Sequence, residues 1–367
     1  SMGALPGTLA GFAAWLSLAL KSAFAMIGIG AFAQLLLPGA EINEWAIRWV
    51  AAGCCVFFGV LNILSVKGAG RFQVVLVIGL LIVLALFVAA GMPQVRQHPN
   101  FDDFLGKGWQ AVFATAGLVF VSFGGLTKVA SVGEEVTEPG RTLPAAMFAA
   151  FFVVSLLYVS AVFVIVGTTD AAELGAGPYG SLTPLSLAAE RFLGTPGVAL
   201  LSIAAILAFI TTGNGGILAA SRNPLAMSRD HLLPKFFDRL SSPFGTPYVS
   251  ILATCGFMVT MILLLDIGSL VKVASTMKLI LFLLVNLAVL IMRGSGLQNY
   301  KPLYRSPLFP FLQLLGIVVY LFVIVELTAK LDRIPLWTLV GFFVFAVAWY
   351  IVYVRPRSDR ESALVFL

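Results

Sequence analysis

Ten hydrophobic stretches, each about as long as a membrane span, constrain this sequence more than any other feature. An α-helix needs about 20 residues to cross the roughly 30 Å hydrocarbon core of a bilayer. Strands of a membrane β-barrel need only about 9–11 residues and alternate in hydrophobicity, whereas these stretches are longer and do not alternate. The sequence therefore predicts an all-α membrane protein with ten transmembrane helices. The predicted spans cover residues 9–36, 45–65, 71–91, 109–130, 144–167, 198–220, 248–266, 268–292, 308–329 and 335–354.

The composition agrees with this class and excludes others. Hydrophobic residues form 60% of the 367 residues and charged residues 11%, whereas soluble domains contain about 25% charged residues. The hydrophobic excess must therefore face lipid. The net charge of +6 does not indicate nucleic-acid binding, because no basic run stands apart from a hydrophobic segment.

The Lys and Arg residues are unevenly divided between the two sets of loops. Cytoplasmic loops of membrane proteins carry an excess of these residues, and an even number of spans places both chain ends on one side. With the N-terminus inside, thirteen Lys and Arg residues fall in cytoplasmic segments and six in external segments. We therefore expect a multi-pass protein of the cell (inner) membrane with both ends cytoplasmic.

One transmembrane domain is predicted over residues 1–354. The longest loops are 168–197 outside, with a surface helix over Pro184–Phe192, and 221–247 inside, and neither has room for a soluble domain. Residues 355–367 are charged and then apolar. This tail is either a frayed end or the start of a further soluble domain.

The fourth span contains Ser122, Phe123, Gly124 and Gly125 near its middle. Each glycine costs a helix about 1 kcal/mol relative to alanine. Transporters interrupt helices near the bilayer midplane and point the positive ends of the half-helices at anionic substrate groups. Small residues also let helices pack closely. The glycine pair therefore indicates either an interrupted, substrate-binding helix or a close helix contact.

The same segment continues to two adjacent acids, Glu134 and Glu135, before a turn at residues 139–140. Acids at the cytoplasmic face oppose the excess of positive charge expected there. We expect their partners to be cations on other inside segments, Arg222 or Arg229, and such pairs would form a cytoplasmic gate. The alternative is a solvated loop.

Thr212 and Asn214 are polar residues near the middle of the sixth span, with glycines around them. Their side chains either coordinate a substrate or ion, or hydrogen-bond to neighbouring helices. The sequence leaves both alternatives open.

Three segments, considered together, are characteristic of one family. The first contains Phe123-Gly124-Gly125 and extends through the acid pair to residues 139–144. The second covers residues 221–230, and the third covers residues 304–310. In order and spacing they resemble the sixth helix, the end of the eighth helix and the start of the eleventh helix of amino acid–polyamine–organocation (APC) superfamily permeases. The resemblance extends over essentially the whole chain.

The resemblance implies a LeuT-like inverted-repeat helical bundle, in which the ten helices correspond to helices three to twelve of the family. The first two family helices have no counterpart, so we expect a permease domain that is truncated at its N-terminus. The resemblance also implies substrate contacts from backbone groups around Ser122, Phe123, Gly124 and Gly125, with Thr212 and Asn214 as further candidates. In many relatives the fifth helix carries a lysine where this sequence has Leu80.

Lys21, Lys128 and Lys278 lie within predicted spans. A charged lysine at the bilayer centre costs about 2.5–3.5 kcal/mol on insertion scales, and such residues usually mark ion or substrate pathways. No acid lies at the same depth in the sequence, and a buried lysine without an acidic partner can release its proton near neutral pH. Lys128, on one helical face with Gly125 and Ser131, is the first candidate for proton coupling, and Lys21 is the second. Alternatively, Lys128 reaches the cytoplasm and only anchors the helix.

These features favour a secondary active transporter of amino acids that works by alternating access, coupled to protons or sodium. The alternatives are a permease or exchanger of polyamines or other organic amines, and a permease-like sensor that does not transport. An intramembrane enzyme is disfavoured, because both histidines, His98 and His231, lie in loops. We expect no cofactor and no metal. The expected partners are a small amino acid or amine substrate, a coupling ion and the lipid bilayer.

Overall fold

Every regular element that the structure describes is a helix. Nine of these helices are long and apolar enough to cross a membrane, and Tyr248–Leu264 is a shorter apolar helix of 17 residues. The prediction of an all-α membrane protein with about ten spans is confirmed. The computed structural model describes residues 3–35, 43–64, 69–97, 101, 106, 108–125, 136–175, 182–242, 244–295, 301–329 and 331–357.

The α-helices of these residues are numbered α1 to α11 in chain order. They are α1 (Ala4–Leu35), α2 (Glu44–Leu64), α3 (Ala69–Gln97), α4 (Gly108–Val119), α5 (Pro139–Thr168), the single turn α6 (Ala171–Leu174), α7 (Pro184–Arg229), α8 (Tyr248–Leu264), α9 (Ile267–Gly294), α10 (Phe311–Ala329) and α11 (Arg333–Trp349). A 3-10 helix, Phe120–Gly125, follows α4 directly, and another covers Lys235–Asp238. One π-helical turn, Tyr350–Val354, continues α11.

The first helix, α1, lies at the centre of the bundle. It packs most extensively against α7, then against α9, α2 and α8. In an apolar stretch of 18 residues in α1, 72% is buried. In the corresponding stretch of Val74–Val95 in α3, 11% is buried. The centre of the bundle is therefore built around α1, whereas most of the Val74–Val95 segment of α3 lies exposed at the surface.

Glycines allow α1 and α7 to approach closely. A Cβ atom at Gly28 of α1 would lie 2.7 Å from the ring of Phe209, and one at Gly213 of α7 would lie 2.6 Å from Met26. Each glycine thus accommodates a large side chain of the other helix. Small residues at contacts between membrane helices have this effect, and the close contact fixes the inward-facing side of α1.

The seventh helix consists of two straight parts that meet at Gly194. This residue has φ 62° and ψ −161°, a conformation that is favourable only for glycine. Pro196 lies in the first turn of the second part, where a missing N–H costs no helical hydrogen bond. The first part begins at Pro184, where the sequence predicts a separate helix before the span.

The span in α7 extends further than the sequence predicts. Residues from 221 onward were expected to form a loop, partly because of Pro224, but α7 continues to Arg229. Proline has no N–H to donate to the carbonyl four residues earlier. Asn223 replaces this hydrogen bond, since its Nδ2 donates to the carbonyl oxygen of Ala220 at 3.3 Å. The helix therefore passes through Pro224.

Candidate substrate-binding site

The regular α4 helix ends at Val119, and Phe120–Gly125 continue as a 3-10 helix. The change of winding releases carbonyl groups that need donors inside the membrane. Ser275 of α9 donates its Oγ to the carbonyl oxygen of Leu118 at 3.1 Å, and Lys21 of α1 donates its Nζ to that of Ser122 at 3.1 Å. The regular α-helix is therefore interrupted five residues before the predicted glycine pair, which ends the 3-10 segment, and side chains from two other helices support this change.

A cavity of about 280 Å³ lies beside this interruption. The volume lies just below the range for ligand pockets, about 300–1,000 Å³, which suits a single small molecule. Five helical elements contribute to its wall: α1, α3, α5, α7 and α9, together with the 3-10 segment after α4. The lining residues are Lys21, Phe24, Ala25, Leu80, Val121, Ser122, Tyr158, Ala208, Phe209, Thr212, Val271 and Ala274.

The wall of this cavity is mainly apolar, with four polar side chains. Lys21, Ser122, Tyr158 and Thr212 lie among alanine, valine, leucine and phenylalanine residues. Most small-molecule sites combine an apolar wall with a few polar groups that orient the ligand. The geometry is thus that of a binding site for a small amphipathic molecule.

Gly124 is the point where two lysine side chains meet the interrupted segment. A Cβ atom at Gly124 would lie 3.4 Å from Cε of Lys278, 3.6 Å from Cδ of Lys21 and 3.7 Å from its Nζ. Lys278 of α9 is only 2% exposed, and its Nζ lies 5.5 Å from the ring centroid of Phe282. Gly125 differs, since no atom lies within 4 Å of its hypothetical Cβ.

Phe123 packs its ring against α5. Its ring centroid lies 5.6 Å from that of Phe151 and 5.7 Å from that of Tyr158. Of the four predicted contacts from this segment, Ser122 lines the cavity, whereas Phe123, Gly124 and Gly125 do not. The ring contact also holds Tyr158, which lines the cavity.

The two polar residues predicted from the sixth span point in different directions. Thr212 lines the cavity. Asn214 faces α2, where its Oδ1 accepts a hydrogen bond from Nδ2 of Asn62 at 2.7 Å. This contact favours the alternative in which Asn214 connects two helices, and its predicted role in substrate binding has no support from its position.

Two residues near the cavity were not identified as binding candidates from the sequence. Tyr158 is one of three polar residues in its predicted span, with Ser155 and Ser160, and Lys278 is an intramembrane lysine to which the sequence assigns no role. Their position in a span was the available indication. Their proximity to Gly124 and Ser122 depends on how α5 and α9 pack.

The predicted cytoplasmic gate is only partly within the described residues. Arg222 is half-buried and Arg229 exposed, both near the C-terminal end of α7. Glu134, Glu135 and Lys128 lie outside the described residues. The gate and the coupling role of Lys128 therefore stay predictions.

Comparison with known proteins identifies the family. The family model for amino acid permeases matches residues 1–354. The chain belongs to this family. The membership places it in the APC superfamily, as the three sequence segments predicted.

The proteins similar to this chain include three from Bacillus subtilis. The branched-chain amino acid permease BcaP is 28% identical, over 82% of this chain and 62% of BcaP. A methylthioribose transporter is 27% identical, over 80% of this chain and 61% of the relative. The serine/threonine exchanger SteT is 27% identical, over 73% of this chain and 61% of SteT. The chain thus spans about three fifths of the length of these relatives.

Proposed function

We propose that this chain is part of a secondary active transporter of amino acids, which works by alternating access. We also propose that the cavity beside Gly124 binds the substrate. The observation that carries the proposal is the position of this cavity. It lies where α4 is interrupted, and its polar groups, Lys21, Ser122 and Thr212, lie among apolar side chains. Two of the relatives, BcaP and SteT, are named for amino acids.

The interrupted segment supplies the substrate contacts in this proposal. Ser122 lines the cavity, and the exposed Gly125 has no side chain, so a ligand can approach backbone groups of this segment. Ser122 contributes its carbonyl oxygen, already in contact with Lys21, and Thr212 contributes a hydroxyl group from the opposite wall. An amino acid needs such a mixture of donors and acceptors for its charged ends and an apolar wall for its side chain.

Reconstitution of the full-length gene product in liposomes tests the function. Radiolabelled leucine should accumulate inside the vesicles, and an imposed proton gradient should increase the rate. Binding without uptake would instead support the permease-like sensor. Saturable uptake of putrescine without uptake of any amino acid would support the organic-amine permease.

We further propose proton coupling through Lys21. Lys21 lines the cavity together with Leu80, which occupies the position of a lysine in many relatives. Among the described residues, Tyr158 in the same wall and Lys278 at Gly124 are titratable groups close to it. A lysine that meets both the substrate cavity and the interrupted helix is placed to exchange its proton as the cavity changes access.

The coupling proposal is tested with Lys21→Met at saturating substrate. The variant should retain exchange of internal for external substrate but lose stimulation by a proton gradient. Lys272→Met is the matched control, because Lys272 binds Asp332 at 2.9 Å and does not line the cavity. Proton-driven uptake that survives in Lys21→Met would shift the coupling role to Lys128.

A further inference from the structure

The ten residues before α10 form an exposed segment that is both apolar and basic. This entry segment covers residues 301–310 and leads directly into the helix. Leu303 is 79% exposed and Leu308 is 71% exposed. Lys301 and Arg305, which carry positive charges, are exposed as well. Apolar and cationic side chains therefore share one surface.

The apolar part of this surface continues along α10. Exposed apolar residues recur in the helix at intervals of three or four, which places them on one face. These residues are 45–73% exposed, and they are Phe311, Leu315, Val318, Phe322 and Val325. Because α10 is long and apolar enough to cross a membrane, we expect lipid to cover this face. The carbonyl oxygen of Leu308 accepts a hydrogen bond from the N–H of Leu312 at 3.3 Å, so the entry segment meets the helix at the edge of the bilayer.

Arg293, at the end of α9, holds the entry segment in place. Its Nη1 donates to Oγ of Ser306 at 3.2 Å, and its guanidinium carbon lies 4.5 Å from the ring centroid of Phe309. The segment also contacts the start of α5, where a Cβ atom at Gly140 would lie 2.8 Å from Cβ of Leu303. The exposed surface is therefore built on fixed contacts with two other helices.

The positive charge of the entry segment has no nearby excess of acids to balance it. The sequence contains no Asp or Glu from residue 267 to residue 325. Among the residues that the structure describes, none forms an ion pair with Lys301 or Arg305. The start of α5 carries Glu138 and Arg141, whose charges cancel. The surface therefore complements a negatively charged ligand.

We infer that the entry segment binds the headgroup of an anionic phospholipid. Lys301 and Arg305 donate charge-assisted hydrogen bonds to the phosphate oxygens, which are stronger than bonds between neutral groups. Leu303 and Leu308 contact the upper part of the acyl chains. Basic residues beside a transmembrane helix attract anionic lipids in this way. The site is separate from the cavity, and its test does not depend on which substrate the protein binds.

Native mass spectrometry of the purified full-length gene product in a neutral detergent measures lipid binding. The probes are dioleoyl phosphatidylglycerol, which is anionic, and dioleoyl phosphatidylcholine, which has no net charge. We expect the first phosphatidylglycerol to bind at least about tenfold more tightly than phosphatidylcholine. Its binding should weaken as ionic strength rises, because salt screens exposed charges. Glycerol 3-phosphate, which lacks acyl chains, should not displace it.

Variants assign the selectivity to the two basic residues. Lys301→Gln and Arg305→Gln should each weaken phosphatidylglycerol binding by about fivefold and leave phosphatidylcholine binding unchanged, because each removes one charge near the headgroup. Arg333→Gln is the matched control, since Arg333 is exposed and precedes α11, beyond the opposite end of α10. This variant should bind both lipids like the wild type. Thermal unfolding in the same detergent checks that the exposed substitutions leave the fold intact.

Several results would overturn the inference. Equal affinity of the wild type for the two lipids would show that the surface does not recognise charge. Unchanged phosphatidylglycerol binding by the double variant of Lys301 and Arg305 would place the site elsewhere. An equal loss in Arg333→Gln would show that binding follows the overall charge of the protein. Displacement by glycerol 3-phosphate at the concentration at which phosphatidylglycerol binds would identify free phosphate, and not lipid, as the ligand.

Discussion

Gly124 combines two properties that a single residue rarely has. It is buried, yet a methyl group at its Cα would meet only ordinary van der Waals contacts, at 3.4–3.7 Å from the lysine side chains. A larger branched side chain has no such room. The size of the residue at this position therefore controls how closely Lys21 and Lys278 approach the interrupted helix.

Substitutions at Gly124 test this effect of residue size on substrate binding. Gly124→Ala should keep most substrate binding, whereas Gly124→Val should weaken leucine binding by about tenfold or more, since its branched side chain pushes Lys21 away from the carbonyl oxygen of Ser122. Gly53→Ala in α2 is the control, because no atom lies within 4 Å of its Cβ. Binding by scintillation proximity, with membrane expression measured in parallel, distinguishes these effects. Normal binding by Gly124→Val would show that the pair only packs helices.

Asp266 is the N-terminal cap of α9, and its ionisation links stability to pH. Its Oδ2 accepts a hydrogen bond from the backbone N–H of Ser269 at 2.9 Å. Burial acts to raise the pKa of Asp266, but the hydrogen bonds from Ser269 and the charge of Lys272 act in the opposite direction and leave the pKa below its ordinary value. A carboxyl with a lowered folded-state pKa stabilises the fold above its unfolded-state pKa, and this contribution is lost as pH falls through the folded-state pKa.

Two substitutions separate the cap from its charge. Asp266→Ala should lower the unfolding free energy by about 1 kcal/mol at pH 7, the usual cost of a lost cap. Asp266→Asn keeps an acceptor, so its stability at pH 7 should stay close to that of the wild type. The loss caused by Asp266→Ala should shrink below about pH 4, the unfolded-state pKa of aspartate. Thermal unfolding in detergent measures these differences, and a loss in Asp266→Ala that is independent of pH would contradict the ionic contribution.

At the scale of elements, the contact between α1 and α7 determines where the cavity lies. Phe209 packs over Gly28 and also lines the cavity wall. A change in the spacing of the two helices therefore changes the shape of the site. The contact depends on glycine, because there is no space for a side chain at Gly28.

Gly28→Ala should destabilise the protein. Its Cβ would lie 2.7 Å from the Phe209 ring, and overpacking usually costs about 1–3 kcal/mol, which exceeds the gain of up to about 1 kcal/mol in helix propensity. Gly53→Ala in α2 is the matched control, because no atom lies within 4 Å of that Cβ. Its unfolding temperature should be unchanged or higher. Equal stability of the two variants in detergent would show that α1 and α7 can separate at no cost.

The sequence was sufficient to predict the helices and insufficient to predict how they face one another. Spans can be predicted from the sequence because lipid requires long apolar helices whose backbone N–H and C=O groups are hydrogen-bonded within the helix. The course of α7 through Pro224 depends on one side-chain hydrogen bond from Asn223, which composition does not reveal. Thr212 and Asn214 look equivalent in the sequence, but they are two residues apart and point about 200° from each other around the helix. Only the position of α2 determines which of them faces the cavity.

At the scale of the whole molecule, polar contacts collect at opposite ends of α9. Near its start, Lys272 binds Asp332, which precedes α11. Near its end, Arg293 donates to Oγ of Ser306 at 3.2 Å and lies 4.5 Å from the ring centroid of Phe309. The alternation of ten spans predicts that these two clusters lie on opposite sides of the membrane.

Cysteine labelling in intact cells tests the predicted orientation. Cysteines at Arg239 and Lys301 should react with an impermeant maleimide only after permeabilisation, because the positive-inside excess places both in the cytoplasm. A cysteine at Ala172, an exposed residue of α6, should react from outside. The native cysteines, Cys54, Cys55 and Cys255, lie half-buried or buried and are replaced in the background. The reverse labelling pattern would overturn the topology.

The central position of Lys21 also has a consequence for biosynthesis. Because synthesis proceeds from the N-terminus, α1 reaches the translocon before α7 and α9, the helices that pack against it in the finished bundle. At that stage a lysine at mid-span makes the free energy of inserting the helix into lipid less favourable by about 2.5–3.5 kcal/mol. The apolar residues of α1 must offset this cost while the covering helices are still on the ribosome. Lys21, a residue of the cavity wall, therefore also makes insertion of the central helix less favourable until its partner helices arrive.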